Sequence, residues 1–188
     1  MNREEWLIQV SAGMAPWFAA LDCPLPHVRM AVGFPSTGRR GRRIGECWTG
    51  RASKDGAFEI FIRPDQDDAI TVAAILAHEL THAAVGLEAK HGPRFAKVAK
   101  AIGLEGKMTA TVPGDTFKRN VASILETVGP LPHGRLDLAV SSAAPKQTTR
   151  LIKAECDTCG YTVRVSRKWI DEVGAPHCPL HGEMEIAS

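Results

Sequence analysis

The most restrictive feature of this sequence is an apolar segment that contains two histidines and a glutamate. Residues 67–86 predict a helix, because Asp67 and Asp68 open it where negative charge is favoured and alanine, isoleucine and leucine dominate the rest. Residues 78–82 within it read His-Glu-Leu-Thr-His, with apolar residues on both sides. Such a helix belongs inside the fold, where two imidazoles and a carboxylate would be costly without a partner. A bound metal ion would be such a partner.

The spacing of the two histidines favours zinc. Residues four apart on a helix stack on one face about 6 Å along the axis, so His78 and His82 can bind one Zn²⁺. Glu79 is one residue round from His78, beside the position that the metal leaves open. There it can take a proton from a bound water without being a ligand. The H-E-x-x-H motif therefore predicts a zinc metalloprotease in which Glu79 is the general base.

A catalytic zinc site needs a third protein ligand, for which His91 is the first candidate. Gly86 ends the predicted helix and permits a reversal of the chain, and the fixed φ of Pro93 would hold His91 facing back. Glu88 is the alternative, since some enzymes of this type use a carboxylate. The spacing differs from H-E-x-x-H-x-x-G-x-x-H, which disfavours the class with that motif.

A second group of metal-ligand residues lies near the C-terminal end. Cys156 and Cys159 form a C-x₂-C knuckle. After eighteen intervening residues, Cys178 and His181 form a C-x₂-H knuckle. This spacing is typical of a structural zinc site, and a Cys₃His set leaves no position open. His177 is the alternative fourth ligand. We therefore expect two zinc ions per chain, one catalytic and one structural.

The periodic segments predict an α+β fold in two domains. A catalytic domain is expected at residues 1–136, a linker at 137–149 and a zinc ribbon at 150–188. The ribbon has too little core to fold without its metal. Helices are predicted at about residues 3–21, 67–86, 93–103 and 115–128, and strands at 28–34, 46–51 and 57–63.

Together these segments resemble the SprT-like metallopeptidase family, which includes the Spartan proteases that act on DNA–protein crosslinks. Residues 91–95 read His-Gly-Pro-Arg-Phe after the motif, and residues 45–48 (Gly-Glu-Cys-Trp) and 59–62 (Glu-Ile-Phe-Ile) precede it as in that family. The resemblance covers almost the whole chain and is strongest to compact bacterial and phage members, in which a C-terminal zinc ribbon is frequent. It implies a zincin-like metalloprotease domain with a small zinc ribbon. The implied activity is endoproteolysis of proteins bound or crosslinked to DNA.

Two groups of basic residues are candidates for contact with DNA. One lies in a loop rich in glycine and arginine between predicted strands, and the other lies between the two ribbon knuckles. Basic and aromatic side chains together can contact phosphates and stack on unpaired bases. For both groups a merely solvated or protein-binding surface is the alternative, more so in the ribbon, where acidic residues offset the charge. The candidates are Arg39, Arg40, Arg42, Arg43, Arg164, Arg167, Lys168 and Trp169.

Composition excludes several classes of protein. Hydrophobic residues make up 44% of the chain and charged residues 23%, which argues against a disordered chain. No apolar run approaches the roughly 18 residues that span a bilayer, so we expect no membrane role. The N-terminus lacks the features of a secretory signal, so we expect a cytoplasmic protein. The family resemblance implies association with the nucleoid of a bacterial cell or phage-infected host. We also expect a monomer. The formal charge of +2 does not by itself indicate a nucleic-acid partner.

Two other functions stay compatible with the sequence. The chain could be a zinc-stabilised nucleic-acid-binding or transcription-associated factor without protease activity. It could also be a zinc hydrolase that acts on a small amide. Substitution of Glu79 by glutamine separates the non-enzymatic factor from both hydrolases, because glutamine cannot act as the general base and only hydrolysis should be lost.

Three further expectations concern the substrate cleft and the core. The strand at residues 57–63 is expected to line the cleft and to pair with an extended substrate, as edge strands do. His133 or an arginine is expected to steady the oxyanion of the tetrahedral intermediate. Trp6, Trp17 and Trp48 are expected to fill the core.

Overall fold

The computed structural model describes residues 1–140 and 151–187. Contacts within the chain divide it into two compact units, Met1–Val140 and Ser141–Ser188. The predicted linker at 137–149 therefore lies largely outside the described residues. Each unit combines helices with small sheets, so the chain is a mixed α and β protein.

The first unit contains four helices and five strands among its described residues. Short 3₁₀ turns occur at Gly50–Ala52 and Leu87–Ala89. In chain order the elements are α1 (Arg3–Ala19), β1 (Val28–Val32), β2 (Gly45–Trp48), β3 (Phe58–Ile62), α2 (Ala69–Val85), α3 (Pro93–Ala101), β4 (Leu104–Lys107), β5 (Ala110–Pro113) and α4 (Asp115–Val128).

Helix α2 is the centre of this unit. It contacts α1, α3 and α4 on the helical side and β2, β3 and β5 on the other. Asp68 caps it by accepting a hydrogen bond from the main-chain N–H of Thr71 at 2.7 Å. From Val72 to Val85 its residues are buried except His78 and Ala84, which are half-buried. The helix that carries the two histidines is therefore internal, as its apolar flanks predict.

The three-stranded sheet corrects one expectation about the cleft. Its order is β1-β3-β2, with β3 parallel to β1 and antiparallel to β2. The strand predicted at 57–63 is thus the central strand, and it cannot pair with a substrate because both of its edges are already hydrogen-bonded. The edge strands are β1 and β2, and of these two only β2 lines the cleft described below.

A short hairpin that the sequence pattern did not predict follows α3. Strands β4 and β5 pair antiparallel, with Lys107 opposite Ala110 at the turn. The hairpin has few apolar residues, so its strands lack the alternating pattern that marks a half-buried strand. It packs against α2 and brings residues 109–111 to the cleft described below.

The second unit has a very small apolar core. Its cluster of buried residues consists of Ala154, Cys156, Cys178 and Met184. Two of these are cysteines of the predicted knuckles, so the core and the candidate metal site coincide. The elements are β6 (Leu151–Glu155), β7 (Thr162–Ser166), α5 (Arg167–Val173), β8 (His177–Cys178), β9 (Gly182–Glu183) and β10 (Glu185–Ile186), with sheets β10-β6-β7 and β8-β9.

No helix of the described residues is long and apolar enough to cross a membrane.

Substitution of Gly103 by alanine should destabilise the first unit. Gly103 has a φ of +91°, and a Cβ there would lie 2.4 Å from the main-chain nitrogen of Phe117, which is fully buried. We expect a loss of about 2 kcal/mol or more in the free energy of unfolding, measured by urea titration with tryptophan fluorescence as the signal.

Gly134→Ala is the matched control, because a Cβ at Gly134 has no neighbour within 4 Å. It should change the free energy of unfolding by less than about 0.5 kcal/mol. Equal effects of the two substitutions would contradict the crowding at Gly103.

Candidate metal centres

Three imidazoles converge at the centre of the first unit. The Nε2 atom of His91 lies 3.1 Å from Nε2 of His82 and 3.3 Å from Nε2 of His78. Two nitrogens bound about 2.0 Å from one zinc ion at the tetrahedral angle lie roughly 3.3 Å apart. These two distances fit three ligands on one tetrahedral ion, and no fourth His, Cys, Asp or Glu of the described residues joins the cluster.

His91, and not Glu88, completes this cluster. The reversal at Gly86 (φ +85°) and the 3₁₀ turn Leu87–Ala89 return the chain, so that His91 faces the two helix histidines. Glu88 is exposed, and its carboxylate lies beside Gly86, outside the cluster. Within the described residues, the structure thus favours the first of the two candidates for the third ligand.

All three imidazoles are held in the form that binds a metal. Burial and the neighbouring imidazoles lower the pKa of His78 to about 3, and burial and His91 lower the pKa of His82 to about 4. Burial also lowers the pKa of His91. Since all of these values shift below the ordinary one near 6.5, the imidazoles are neutral at pH 7 and their lone pairs are free.

Two neighbours fix the orientation of the imidazoles. With its Nε2 turned to the cluster, His78 donates from Nδ1 to the hydroxyl of Thr111 at 2.8 Å. The ring of Phe95, fully buried on α3, packs against all three imidazoles with centroids 4.4–5.0 Å away. A hydrogen bond to the outer ring nitrogen fixes the tautomer and direction of a metal-binding histidine. Thr111 had no signal in the sequence, because the hairpin that carries it was not predicted.

Glu79 lies beside this cluster and is almost fully buried. The main-chain N–H of Cys47 on β2 faces its carboxylate and partly offsets the rise in its pKa described below. The carboxylate has space because residue 45 is a glycine. A Cβ at Gly45 would lie 2.7 Å from Oε1 of Glu79 and 2.7 Å from Cγ2 of Ile75. Burial, aided by the charge of Glu46, raises the pKa of Glu79 to about 8. Such a carboxyl group suits proton transfer near neutral pH.

The histidines and Glu79 face a cleft of about 830 Å³. Its walls are β2 with the loop that precedes it, α2, the turn before α3, and the tip of the β4–β5 hairpin. Trp48, predicted to fill the core, is instead 42% exposed and lines this cleft, because it lies on the edge strand of the sheet. Trp6 is fully buried as predicted, and Trp17 packs at the edge of the core.

A network of hydrogen bonds holds the cleft wall at β2. The carboxylate of Glu46 accepts from the main-chain N–H and the hydroxyl of Ser36, both at 2.7 Å, and from Nε1 of Trp48 at 3.0 Å. It also forms an ion pair with Arg43. These contacts lower the pKa of Glu46 despite its partial burial. The indole of Trp48 is therefore held in place although it is exposed.

A second cluster forms the core of the second unit. Sγ of Cys159 and Sγ of Cys178 lie 3.7 Å apart, and Nδ1 of His181 lies 3.6 Å from Sγ of Cys156 and of Cys178. On a tetrahedral zinc ion, sulfurs about 2.3 Å away lie roughly 3.8 Å apart, and a sulfur and a nitrogen roughly 3.5 Å apart. His181, and not His177, joins the three cysteines. The four ligand atoms fill a tetrahedral shell.

One thiol of this cluster ionises easily. Hydrogen bonds from the main chain of Cys159 and Thr158 lower the pKa of Cys156 to about 6. Such amide hydrogen bonds favour the thiolate, which is the form that binds a metal. The knuckle turn that ends at Gly160 (φ +72°) aims these amides.

The two groups of candidate DNA contacts lie on exposed surface, with two qualifications. In the arginine loop, Arg43 pairs with Glu46, so its charge is partly neutralised. In the second unit, Lys168 pairs with Glu172 at 3.8 Å and lies over the ring of Trp169 at 5.0 Å. The exposed residues of both groups are Arg39, Arg40, Arg42, Arg43, Arg164, Arg167, Lys168 and Trp169.

His133 is not among the residues that line the cleft. It is exposed, with a φ of +67°, and its carbonyl accepts a hydrogen bond from the buried guanidinium of Arg3 at 3.3 Å. The sequence offered His133 or an arginine as the donor to the oxyanion. The arginines stay candidates, since Arg42 and Arg43 line the cleft.

Comparison with known proteins adds no assignment. No family model, no curated protein and no solved structure matches this chain. The function must therefore be inferred from the two clusters and the cleft.

Thr111→Val should weaken metal binding at the three-histidine cluster. Valine has the shape of threonine but cannot accept the Nδ1–H of His78, whose ring would lose its fixed orientation. We expect the dissociation constant for zinc at this site to rise about tenfold, measured by competition with a chromophoric chelator. Thr111→Ser keeps the hydroxyl and should bind as the native protein does. An equal loss in both variants would point to packing and not to the hydrogen bond.

Glu79→Gln should stabilise the metal-free protein, and more so at alkaline pH. The folded-state pKa of Glu79 is about 8, above the unfolded value, so its contribution to stability is present at acid pH and is lost as pH rises through 8. Glutamine does not titrate, so the variant does not lose this stability as pH rises. The histidines contribute equally to the pH dependence of the native protein and the variant. Between about pH 6 and about pH 8.5 the advantage of the variant should grow by on the order of 2 kcal/mol in urea unfolding. A constant difference would contradict the raised pKa.

Proposed function

We propose that this chain is a zinc-dependent endopeptidase whose catalytic unit is a zincin-like fold. The observation that supports it best is the joint placement of the three Nε2 atoms and the carboxylate of Glu79 at the wall of one open cleft. Three neutral nitrogens at tetrahedral spacing suit zinc, and the unfilled fourth position is what a catalytic site keeps. The Cys₃His cluster suits a second, structural zinc, because it leaves no position open.

The groups around the cluster suit hydrolysis of an amide bond. A zinc ion bound there supplies Lewis acidity, which polarises a carbonyl oxygen and lowers the pKa of a water molecule. Glu79 takes the proton of the attacking water and passes it to the leaving amine. Burial makes its carboxylate a stronger base than an exposed one, and the N–H of Cys47 keeps it directed.

The free edge of β2 is the place for an extended substrate. The carbonyl of Ile44 accepts a hydrogen bond from the N–H of Arg63 at 3.0 Å, so these groups point towards β3. Main-chain groups alternate in direction along an antiparallel pair, and those of Gly45 and Cys47 therefore point away from β3. A peptide added beside β2 would pair with the main-chain groups of Gly45 and with the carbonyl of Cys47, whose N–H faces Glu79. It would pass the histidines, since β2 and the imidazoles line the same cleft.

We assign the chain, again as a proposal, to the SprT-like family, with proteins bound or crosslinked to DNA as its substrates. Exposed arginines near the cleft and the exposed basic and aromatic side chains of the second unit support a DNA partner. The ribbon would then bring the protease to DNA, and the cleft would cut the attached protein.

Glu79→Gln tests the proposed activity. Glutamine keeps the volume but cannot accept the proton, so cleavage of an unfolded protein, followed by gel and mass spectrometry, should fall at least about a hundredfold. Zinc content should not change, because all three histidines stay. Glu88→Gln is the control, since this exposed carboxylate lies outside the cluster and its loss should not affect cleavage.

The same assay separates the other functions. Full cleavage by Glu79→Gln would contradict the mechanism, and no cleavage by the native protein, with DNA binding intact, would favour a nucleic-acid-binding factor. Stimulation of cleavage by DNA would support the crosslink substrate.

Metal content distinguishes the two sites. We expect two zinc ions per native chain by elemental analysis, falling towards one in His91→Ala and towards one in Cys178→Ala. In the second variant the ribbon should also lose its folded structure, because its apolar core has only four residues. A native value of one would contradict a catalytic zinc.

A further inference from the structure

Lys90 adopts a backbone conformation that suits glycine. Its φ is +46° and its ψ is −131°, a combination that costs a residue with a Cβ on the order of 1–3 kcal/mol. Lys90 directly precedes His91, and its side chain is exposed and lines the cleft. A glycine would hold the same turn without strain. The turn itself therefore does not need the lysine side chain.

The positive charges of the cleft are only partly neutralised. Its charged lining consists of Arg42, Arg43 and Lys90 against Glu46 and Glu79. Glu46 is engaged by Arg43, and Glu79 is buried against the N–H of Cys47. Neither Arg42 nor Lys90 forms an ion pair with any residue in the described parts of the chain.

The partner of these two cations must fit the cleft. A volume of about 830 Å³ beside a free strand edge accommodates a stretch of extended peptide. A DNA duplex is far too wide to enter it. Two unpaired cations in a partly enclosed cleft attract negative charge and suppress binding of positive charge.

We propose that Lys90 and Arg42 make this cleft selective for peptide segments that carry aspartate or glutamate next to the bond that is cleaved. This inference rests on the proposed endopeptidase function and names its substrate class. Each cation contributes through a solvent-accessible ion pair, so the selectivity should weaken as salt concentration rises. A DNA-bound protein would then be cut in its acidic segments and not in the basic segments that contact DNA.

Three substitutions at Lys90 separate its charge from its backbone. Lys90→Arg keeps the charge, Lys90→Ala removes the charge and keeps the strain, and Lys90→Gly removes both. Cleavage of a peptide that contains aspartates is compared with cleavage of the same peptide with asparagines. We expect Lys90→Ala and Lys90→Gly to lose the preference for the acidic peptide by the same factor, about threefold to fivefold in kcat/KM, and Lys90→Arg to keep it.

Stability is the second readout of the same variants. Lys90→Gly should have a higher unfolding midpoint than Lys90→Ala, by about 2–4 °C, because the strain is relieved. Arg42→Ala should lower the acidic preference further when it is combined with Lys90→Ala. A different outcome would be that Lys90→Ala and Lys90→Gly cleave at different rates, by the same factor for both peptides. Lys90 would then act by placing His91, and the proposal would be wrong.

A binding assay keeps the inference testable if cleavage fails. The zinc-loaded Glu79→Gln protein is titrated with the two fluorescein-labelled peptides, and anisotropy gives each affinity. The inference is supported if the acidic peptide binds more tightly and this preference is lost in Lys90→Ala. That result would hold even if the native protein cleaved neither peptide, because a lack of cleavage would overturn only the proposed function. Equal binding of both peptides would overturn the inference. Displacement of the bound peptide by duplex DNA would also overturn it, if that displacement depends on Lys90.

Discussion

The first unit depends on the convergence of three imidazoles in its interior. His78 and His82 lie on the most buried helix of the unit, where polar side chains are tolerated only with partners. The turn after that helix returns His91 to within 3.3 Å of both. Phe95 and Thr111, from two further elements, hold the rings. Helix, turn, next helix and hairpin are thus all arranged around one point.

The two clusters differ in what they leave free, and this difference divides their roles. The histidine cluster offers three nitrogens in a cleft, next to a buried carboxylate. The cysteine cluster offers four ligands in a unit whose apolar core is hardly larger than the cluster itself. An incomplete shell beside a base suits chemistry, whereas a complete shell inside a small core suits folding.

Strand β2 lies between the buried carboxylate of Glu79 and the open cleft. The absence of a side chain at Gly45 makes room for Glu79, and the N–H of Cys47 faces its carboxylate. Two residues of the same strand, Glu46 and Trp48, form the cleft wall together with Ser36. The strand that packs against Glu79 is therefore also the edge strand that lines the cleft. A peptide paired with β2 would lie in register with Glu79.

The sequence by itself determined the features that depend on residues close together along the chain. Spacing of four on one apolar helix predicts the pair His78 and His82, and two short knuckles predict the Cys₃His set, because helix and turn geometry are local. The mixed α and β class and most helix bounds follow from the same periodicity. The predicted linker falls largely on residues outside those that the structure describes.

Only the tertiary structure decided what depends on contacts between distant segments. It chose His91 over Glu88 and His181 over His177, made β2 the edge strand in place of β3, and exposed Trp48. It also supplied the hydroxyl of Thr111 from a hairpin without a sequence signal. Strand order and ligand choice are set by which surfaces pack together, and neither hydrophobic period nor motif spacing contains that information.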